Sequence, residues 1–395
     1  MSRNGIQGFQ AERFAQVIAA RRLTQTQLAS MIDVSPSTIS KWRSGAQMPE
    51  RDALERLARV VNVRPEWFTR PVTADASNLL FRSMASAHKS ARSMLSVRLA
   101  WAQEVASALN EFVDFPEVNL PKRMFINPEE ITQEEIEEAA SDCREIWGVG
   151  SSVIQDLALA AEGAGIVLIR EETGIAQIEG LSAWSSAIGR PFILLSSDKD
   201  NGYRSRFDLA HEIGHLVLHR HIQNPWEKER HDLLEKQAHS FAGALLLPAE
   251  TFASEVRLPP TLDELLLLKR RWGVSAAAIT MRLYALGLID DEQRTYFFKR
   301  RSARWGAKSE PGDGDRVPER ARLLRRSIDL VVDEGVMPLS TIPQHIGLSS
   351  SDIESLTGLP HGYFRGADEF AELARLRKPS QDVDGDSKVV MFQRR

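Results

Sequence analysis

Residues 211–215 read His-Glu-Ile-Gly-His, within the longer run Phe207–His221, FDLAHEIGHLVLHRH. Histidines four apart on a helix lie one turn apart on one face, so both imidazoles can hold one ion. Glu212 then stands beside them, placed to take a proton from a metal-bound water. Zinc lowers the pKa of that water from ~16 to about 7, which makes a nucleophile at neutral pH. Phe207, Leu209, Ala210, Leu216 and Leu218 predict an apolar setting around this helix.

Such a site needs a third protein ligand. His221 lies ten positions after His211, the spacing of the third histidine in metzincins, but position 218, where a helix-breaking glycine would be needed, is Leu. His219 sits a further turn along and recedes from the ion by ~6 Å. Both are expected to be solvated or to support a ligand from behind. Glu235 is the stronger choice. It opens a second amphipathic stretch, EKQAHSFAGALLLP, in which Ala238, Phe241, Ala242 and Leu245 form one packed face. Two histidines, a glutamate and one open position make the geometry of a hydrolytic zinc.

Length bounds the architecture. At 395 residues the chain exceeds one ordinary domain of about 100–200 residues. The apolar runs Leu245–Leu247 and Leu265–Leu268 are far short of the ~20 residues that span a bilayer. Phe9–Arg22 is an amphipathic mixture without a signal core. With Cys143 as the only cysteine, the chain reads as cytoplasmic. The net charge of -4 conceals an asymmetry, because residues 1–70 carry eleven Lys/Arg against six Asp/Glu. A basic head on an acidic body points to nucleic-acid contact at one end.

That head has its own pattern. In Leu23–Pro49, LTQTQLASMIDVSPSTISKWRSGAQMP, Thr24 is suited to cap a helix with Leu28, Ala29 and Ile32 inward. Asp33-Val34 makes a turn, and Ser35 caps a second helix with Pro36 at its first position, where a missing N–H costs little. Ile39 and Trp42 would point inward, leaving Ser37, Thr38 and Lys41 outward. Short polar groups followed by a cation suit entry into a major groove. Beyond the head, Gly165–Ile169, Ile178–Trp184 and Pro191–Leu195 read as short strands. Helical patterns fall at 81–120, Glu129–Trp147, Tyr203–Arg220, Leu233–Leu247 and Leu262–Leu286. Arg204 and Arg206, just before the metal motif, would bind a substrate carbonyl or an acidic helix, or form a structural salt bridge.

Two resemblances follow. Thr24, Gln25, Leu28, Ala29, Val34, Ser35, Thr38, Ile39, Trp42, Gly45 and Pro49 match the string of the Cro/repressor-like (XRE) helix-turn-helix family over about residues 9–68. The resemblance implies that Gln25 and Ser44 bind phosphates while Pro36, Ser37 and Lys41 face bases. The family often pairs a Glu after the Trp42 position with an Arg in its first helix. Here these are Arg43 and Ile18, so Arg43 becomes an added phosphate contact, and an apolar substitute for a buried pair leaves the fold intact. Farther on, RxRFxLAHEIGHLVLH (Arg204–His219), ExxAxxFAxxLLxP (Glu235–Pro248), GLSAW (Gly180–Trp184) and LKRRWGVSAAAITMR (Leu268–Arg282) resemble the ImmA/IrrE family of metallo-endopeptidases over about residues 80–305. This implies a small zincin-like α/β domain with His211, His215 and Glu235 as ligands and Glu212 as general base. One departure is His239, where many such helices place Asp or Asn to support a ligand histidine.

The expected layout is mainly α: an all-α helix-turn-helix domain (1–70), a linker (71–80), a helix-rich metallopeptidase domain with a short sheet (81–305), a linker (306–320) and a helical C-terminal region with a disordered end (321–395). The expected function is a transcriptional regulator, a repressor fused to a zinc-dependent endopeptidase, with Mn²⁺ as the alternative ion. In relatives of the ImmA/IrrE type the peptidase cuts a helix-turn-helix repressor after a stress or mobile-element signal. Here the substrate would be this chain, its dimer partner or another repressor, with Thr69–Leu80 as the candidate cut. Expected partners are an operator duplex, a protein substrate and a second copy, since paired half-sites multiply base contacts. The alternative is a non-catalytic, ligand-sensing regulator with a degenerate zincin domain, which the His239 departure favours.

Overall fold

The computed structural model describes residues 5–72, 80–81, 89–174, 179–223, 227–306 and 308–365. Most of the 71–80 stretch, and the C-terminal end from 366, lie outside the described residues. The head begins with α1 (Ala11–Ala20), α2 (Gln25–Met31), α3 (Pro36–Arg43) and α4 (Arg51–Val61). Thr24 and Gln27 close a capping box on α2, and Ser35 Oγ accepts from Thr38 N at 3.1 Å at the start of α3. Each satisfies a backbone donor that a helix N-terminus leaves open. Asp33, between α2 and α3, takes φ 55°, a left-handed conformation that its short polar side chain tolerates. Ile18 packs against the core with no ionic partner needed.

The body follows with α5 (Lys89–Leu109), α6 (Gln133–Ile146) and α7 (Leu157–Gly163). Strand β1 is Leu80–Phe81, then come β2 (Val167–Glu171), β3 (Gly180–Ser185) and β4 (Arg190–Ser196). The sheet order is β1-β3-β4-β2; β2 runs parallel to β4, and the other pairs are antiparallel. Leu80, read from sequence as the end of a linker, instead pairs with Ser182, and Phe81 with Leu181. Next are α8 (Gly202–Leu218), α9 (Lys228–Leu246), α10 (Ala249–Glu255), α11 (Leu262–Trp272), α12 (Ala276–Ala285) and α13 (Asp291–Trp305). The pattern over Leu262–Leu286 therefore divides into two helices, because Gly273 caps α11 at φ 72° and Ser275 starts α12. Finally α14 (Leu323–Asp333), α15 (Ile342–Ile346) and α16 (Ser350–Thr357) form the described C-terminal part. No helix of the described residues is long and apolar enough to cross a membrane.

Alternate side chains of a strand point to opposite faces, and here each face feeds a different core. Val167, Ile169, Leu181, Ala183, Phe192 and Leu194 join a cluster with α5, the C-terminal helices and the whole head. Leu168, Ile193 and Leu195 join a second cluster formed by α6 to α13. The sheet is thus a wall with the head's core on one side and the metal helix on the other. Trp67 of the head meets Trp101 of α5 edge-to-face at 5.6 Å between centroids, and buried Arg13 of α1 pairs with Glu104 of α5. Arg21 donates to Asp352 of α16 at 2.8 Å, Arg98 of α5 bonds both Asp352 and Glu171 of β2, and Ser355 donates to Glu171. A continuous charged chain therefore runs from the head to the sheet.

The 306–320 stretch is pinned along the body. Glu310 accepts from Lys269 at 3.2 Å and from the Ala276 N–H at 2.8 Å, while Glu319 accepts from the Ala158 N–H at 2.9 Å.

Candidate metal centre

The two motif helices lie side by side for a steric reason. A Cβ at Gly214 would come within 3.0–3.2 Å of the Phe241 side chain, so the glycine lets α8 and α9 approach closely. Asn201 Oδ1 caps α8 by accepting from Tyr203 N and Arg204 N, both at 3.1 Å. Arg206 is spent on Glu319 and the Ile154 carbonyl, and Arg204 donates to the Lys308 carbonyl at 2.6 Å. Both arginines are structural ties.

His211, His215 and Glu235 converge. His211 Nε2 and His215 Nε2 are 3.0 Å apart, His215 Nε2 lies 3.2 Å from Glu235 Oε1, and His211 Nε2 lies 3.4 Å from Glu235 Oε2. Ligands at the ~2.0–2.1 Å bond lengths of zinc, in tetrahedral geometry, stand about 3.3 Å from one another. The observed triangle has that size, and the donor set of two imidazoles and a carboxylate suits Zn²⁺. The histidines are buried, whereas the Glu235 side chain is 17% exposed, so the cluster has one open side.

The arrangement also fixes which imidazole nitrogens carry protons. The Gln237 side-chain amide donates to the carbonyls of Pro128 at 2.6 Å and Ile131 at 3.2 Å. Its oxygen is then the acceptor toward His219 Nε2 at 3.2 Å, so that nitrogen bears the proton. Burial, and then the neighbouring His215, hold the His219 pKa well below its ordinary value, so the ring is neutral and its Nδ1 is an acceptor. His215 Nδ1, 2.9 Å away, must donate to it, which leaves His215 Nε2 bare and facing the cluster. A metal-binding histidine needs this kind of support behind it. His219, at 2% exposure, is therefore no solvated histidine but the orienting partner of His215. Sequence reasoning named that role for His219 as one option and missed Gln237; the spacing of His215 to His219 at one turn was the available signal.

Glu212 is fully buried beneath the start of β3. A Cβ at Gly180 would meet Glu212 Oε1 at 2.9 Å, so only glycine fits above the carboxylate. His239 also reaches the cluster. Each of His211, Glu235 and His239 offers a ligand atom, and these atoms lie within 4.8 Å of one another. His221 is not among them.

At the head, Ser35, Pro36, Ser37, Lys41, Arg43 and Ser44 are exposed, and Gln25 and Thr38 are half-buried. Ile39 and Trp42 on the opposite side of α3 are buried. Ser35 Oγ is engaged by the cap and contacts Ser37 Oγ at 2.7 Å, and Ser44 Oγ donates to the Lys41 carbonyl at 3.1 Å.

Comparison of the chain with curated proteins finds no match. Residues 15–68 match the family model described as helix-turn-helix, and residues 161–284 match that of the IrrE N-terminal-like domain. The α2–α3 pair and the cluster built on α8 and α9 fall within these two regions, in that order. The chain thus carries, in that order, a match to an XRE-type helix-turn-helix, which points to a DNA-binding regulator, and a match to an IrrE/ImmA-like domain, which points to a metallopeptidase-like body.

Proposed function

We propose that this protein is a transcriptional repressor whose body is a zinc-dependent endopeptidase, and that it cleaves a helix-turn-helix repressor, its own chain included, after a stress or mobile-element signal. The meeting of the His211, His215 and Glu235 donors at 3.0–3.4 Å carries the reading. When bound, zinc would polarise the scissile carbonyl and supply an ionised water near neutral pH. Glu212 is the general base, accepting the nucleophile's proton and returning it to the leaving amine. Its fully buried setting keeps competing solvent from the carboxylate.

The substrate strand is assigned to the edge of β3 that Leu80–Phe81 occupies. An extended peptide gains affinity by adding to a sheet edge through main-chain hydrogen bonds. Leu80–Phe81, in the segment that follows the head, pairs with β3 next to Gly180, which covers Glu212. This supports cleavage in cis or between two copies, near Leu80. Purified protein loaded with Zn²⁺, or with Mn²⁺ as the alternative, should release a fragment ending near that residue, identified by mass spectrometry. An intact chain under every inducing condition would overturn self-cleavage.

On DNA, α3 enters the major groove. Pro36, Ser37, Thr38 and Lys41 face bases; Gln25, Ser35, Arg43 and Ser44 serve the backbone, and a homodimer reads paired half-sites. Lys41→Ala should weaken operator binding by about 1–3 kcal/mol, or roughly 5–150-fold in Kd. A gel shift with equal affinity for both proteins would reject a base contact. The second reading, a non-catalytic sensor of a ligand, is favoured by His239 at the position of the usual Asp or Asn; it requires regulation to be unchanged in Glu212→Gln.

A further inference from the structure

We propose that His239 is a fourth protein ligand for the ion held by His211, His215 and Glu235, closing the open side of the site in its resting state. This rests on the metal-binding reading above. Three observations lead to it. His239 follows Glu235 by one turn of α9 and offers a ligand atom within 4.8 Å of those of both His211 and Glu235. Its ring is held edge-on to His211, with 4.5 Å between centroids and 77° between planes, and it also meets Phe207 at 5.8 Å. Its Nδ1 lies 2.8 Å from the Glu235 backbone carbonyl. A carbonyl only accepts, so Nδ1 carries the proton and Nε2 keeps the lone pair. Donation of one ring N–H to a backbone carbonyl is the usual support of a histidine that binds metal through its other nitrogen. The Asp or Asn common at this position would support another ligand; an imidazole here can itself become one.

Four side-chain ligands characterise structural zinc, whereas hydrolytic zinc keeps one position free. His239 is exposed, unlike the buried pair His211 and His215. It is the member of the set that can swing away without disturbing the helix core. The site is thereby self-capped: a peptide entering along β3, or a movement of α9, must displace His239 before the position opens.

The test uses the full-length protein, stripped of metal and reloaded with Co²⁺ alone, whose visible bands report coordination number and donor type. His239→Ala should change the position and intensity of those bands, and chelator competition should show Zn²⁺ affinity lowered by at least about tenfold. His239→Asn, which keeps a polar side chain but no imidazole, should change the bands as Ala does, and circular dichroism checks that both variants fold. Cobalt bands identical to wild type would overturn the proposal even if affinity fell, since His239 would then act only by positioning Glu235. His215→Ala separates the two levels. If wild type loads Co²⁺, His215→Ala does not, and His239→Ala matches wild type, only the fourth ligand is lost. If wild type binds no Co²⁺, the metal reading falls and takes this inference with it.

Discussion

Glu212→Gln should lower peptide-bond cleavage by about 10²–10⁴-fold, the range for loss of a general base, while bound zinc stays at the wild-type level. Gln fills the same buried volume and can still sit beneath Gly180, so the fold and the His211–His215–Glu235 triangle are retained. What it cannot do is accept a proton. His215→Ala makes the complementary prediction, with metal and cleavage lost together, because the ring supported by His219 and Gln237 is gone. The measurements are metal content by elemental analysis and the rate of fragment release, made on the same preparations. Wild-type cleavage by Glu212→Gln would remove Glu212 from the chemistry.

Asp352→Ala should cost about 1.5–3 kcal/mol of folding stability, read from urea unfolding, because it removes the buried carboxylate that accepts charged hydrogen bonds from both Arg98 and the half-buried Arg21. Asp352 is 5% exposed and Arg98 6%. Arg98 would keep Glu171, but Arg21 would lose its only carboxylate among the described residues. Replacing Arg21 by Met as well should recover part of the loss, since Arg98 keeps Glu171 and no cation is then left without a carboxylate. The same group predicts a pH dependence. Burial pushes the Asp352 pKa up, but Arg21 and Arg98 more than offset this and hold it below its ordinary value of 3.8. A depressed folded pKa means the contribution is complete above the unfolded value and disappears as pH falls through the folded one. Wild type should therefore lose stability in acid below about pH 4 more steeply than Asp352→Ala.

Local spacing made much of this molecule legible. The pair His211 and His215 is a statement about one helical turn, and the caps Thr24 and Ser35 are statements about three residues. Glu235 was reachable because α9 is amphipathic with the carboxylate at the start of its packed face. The rest depended on partners distant in sequence. Gln237 orients His219 only because the carbonyls of Pro128 and Ile131, more than a hundred positions earlier, lie behind it. The ties of Asp352 to Arg21 and Arg98 span 331 and 254 positions, and no composition rule finds them. Lys308–Arg320 is rich in Gly, Pro and charge and reads as a tether, yet Glu310 and Glu319 anchor it to backbone N–H groups of the body. His239 shows the converse: its identity was plain, but its place beside His211 required α9 to be docked.

The single wall between the two cores changes what scission near Leu80 would accomplish. The head would remain seated on α5 and α16 through Trp67, Arg13 and Arg21, so severing the backbone does not in itself set it adrift. It converts a docking that occurs at a fixed, roughly millimolar effective concentration into an ordinary bimolecular encounter. The occupancy of that encounter then falls with dilution and with each round of cell growth, so the nicked protein would act as a timer set by its own abundance rather than as an instantaneous release.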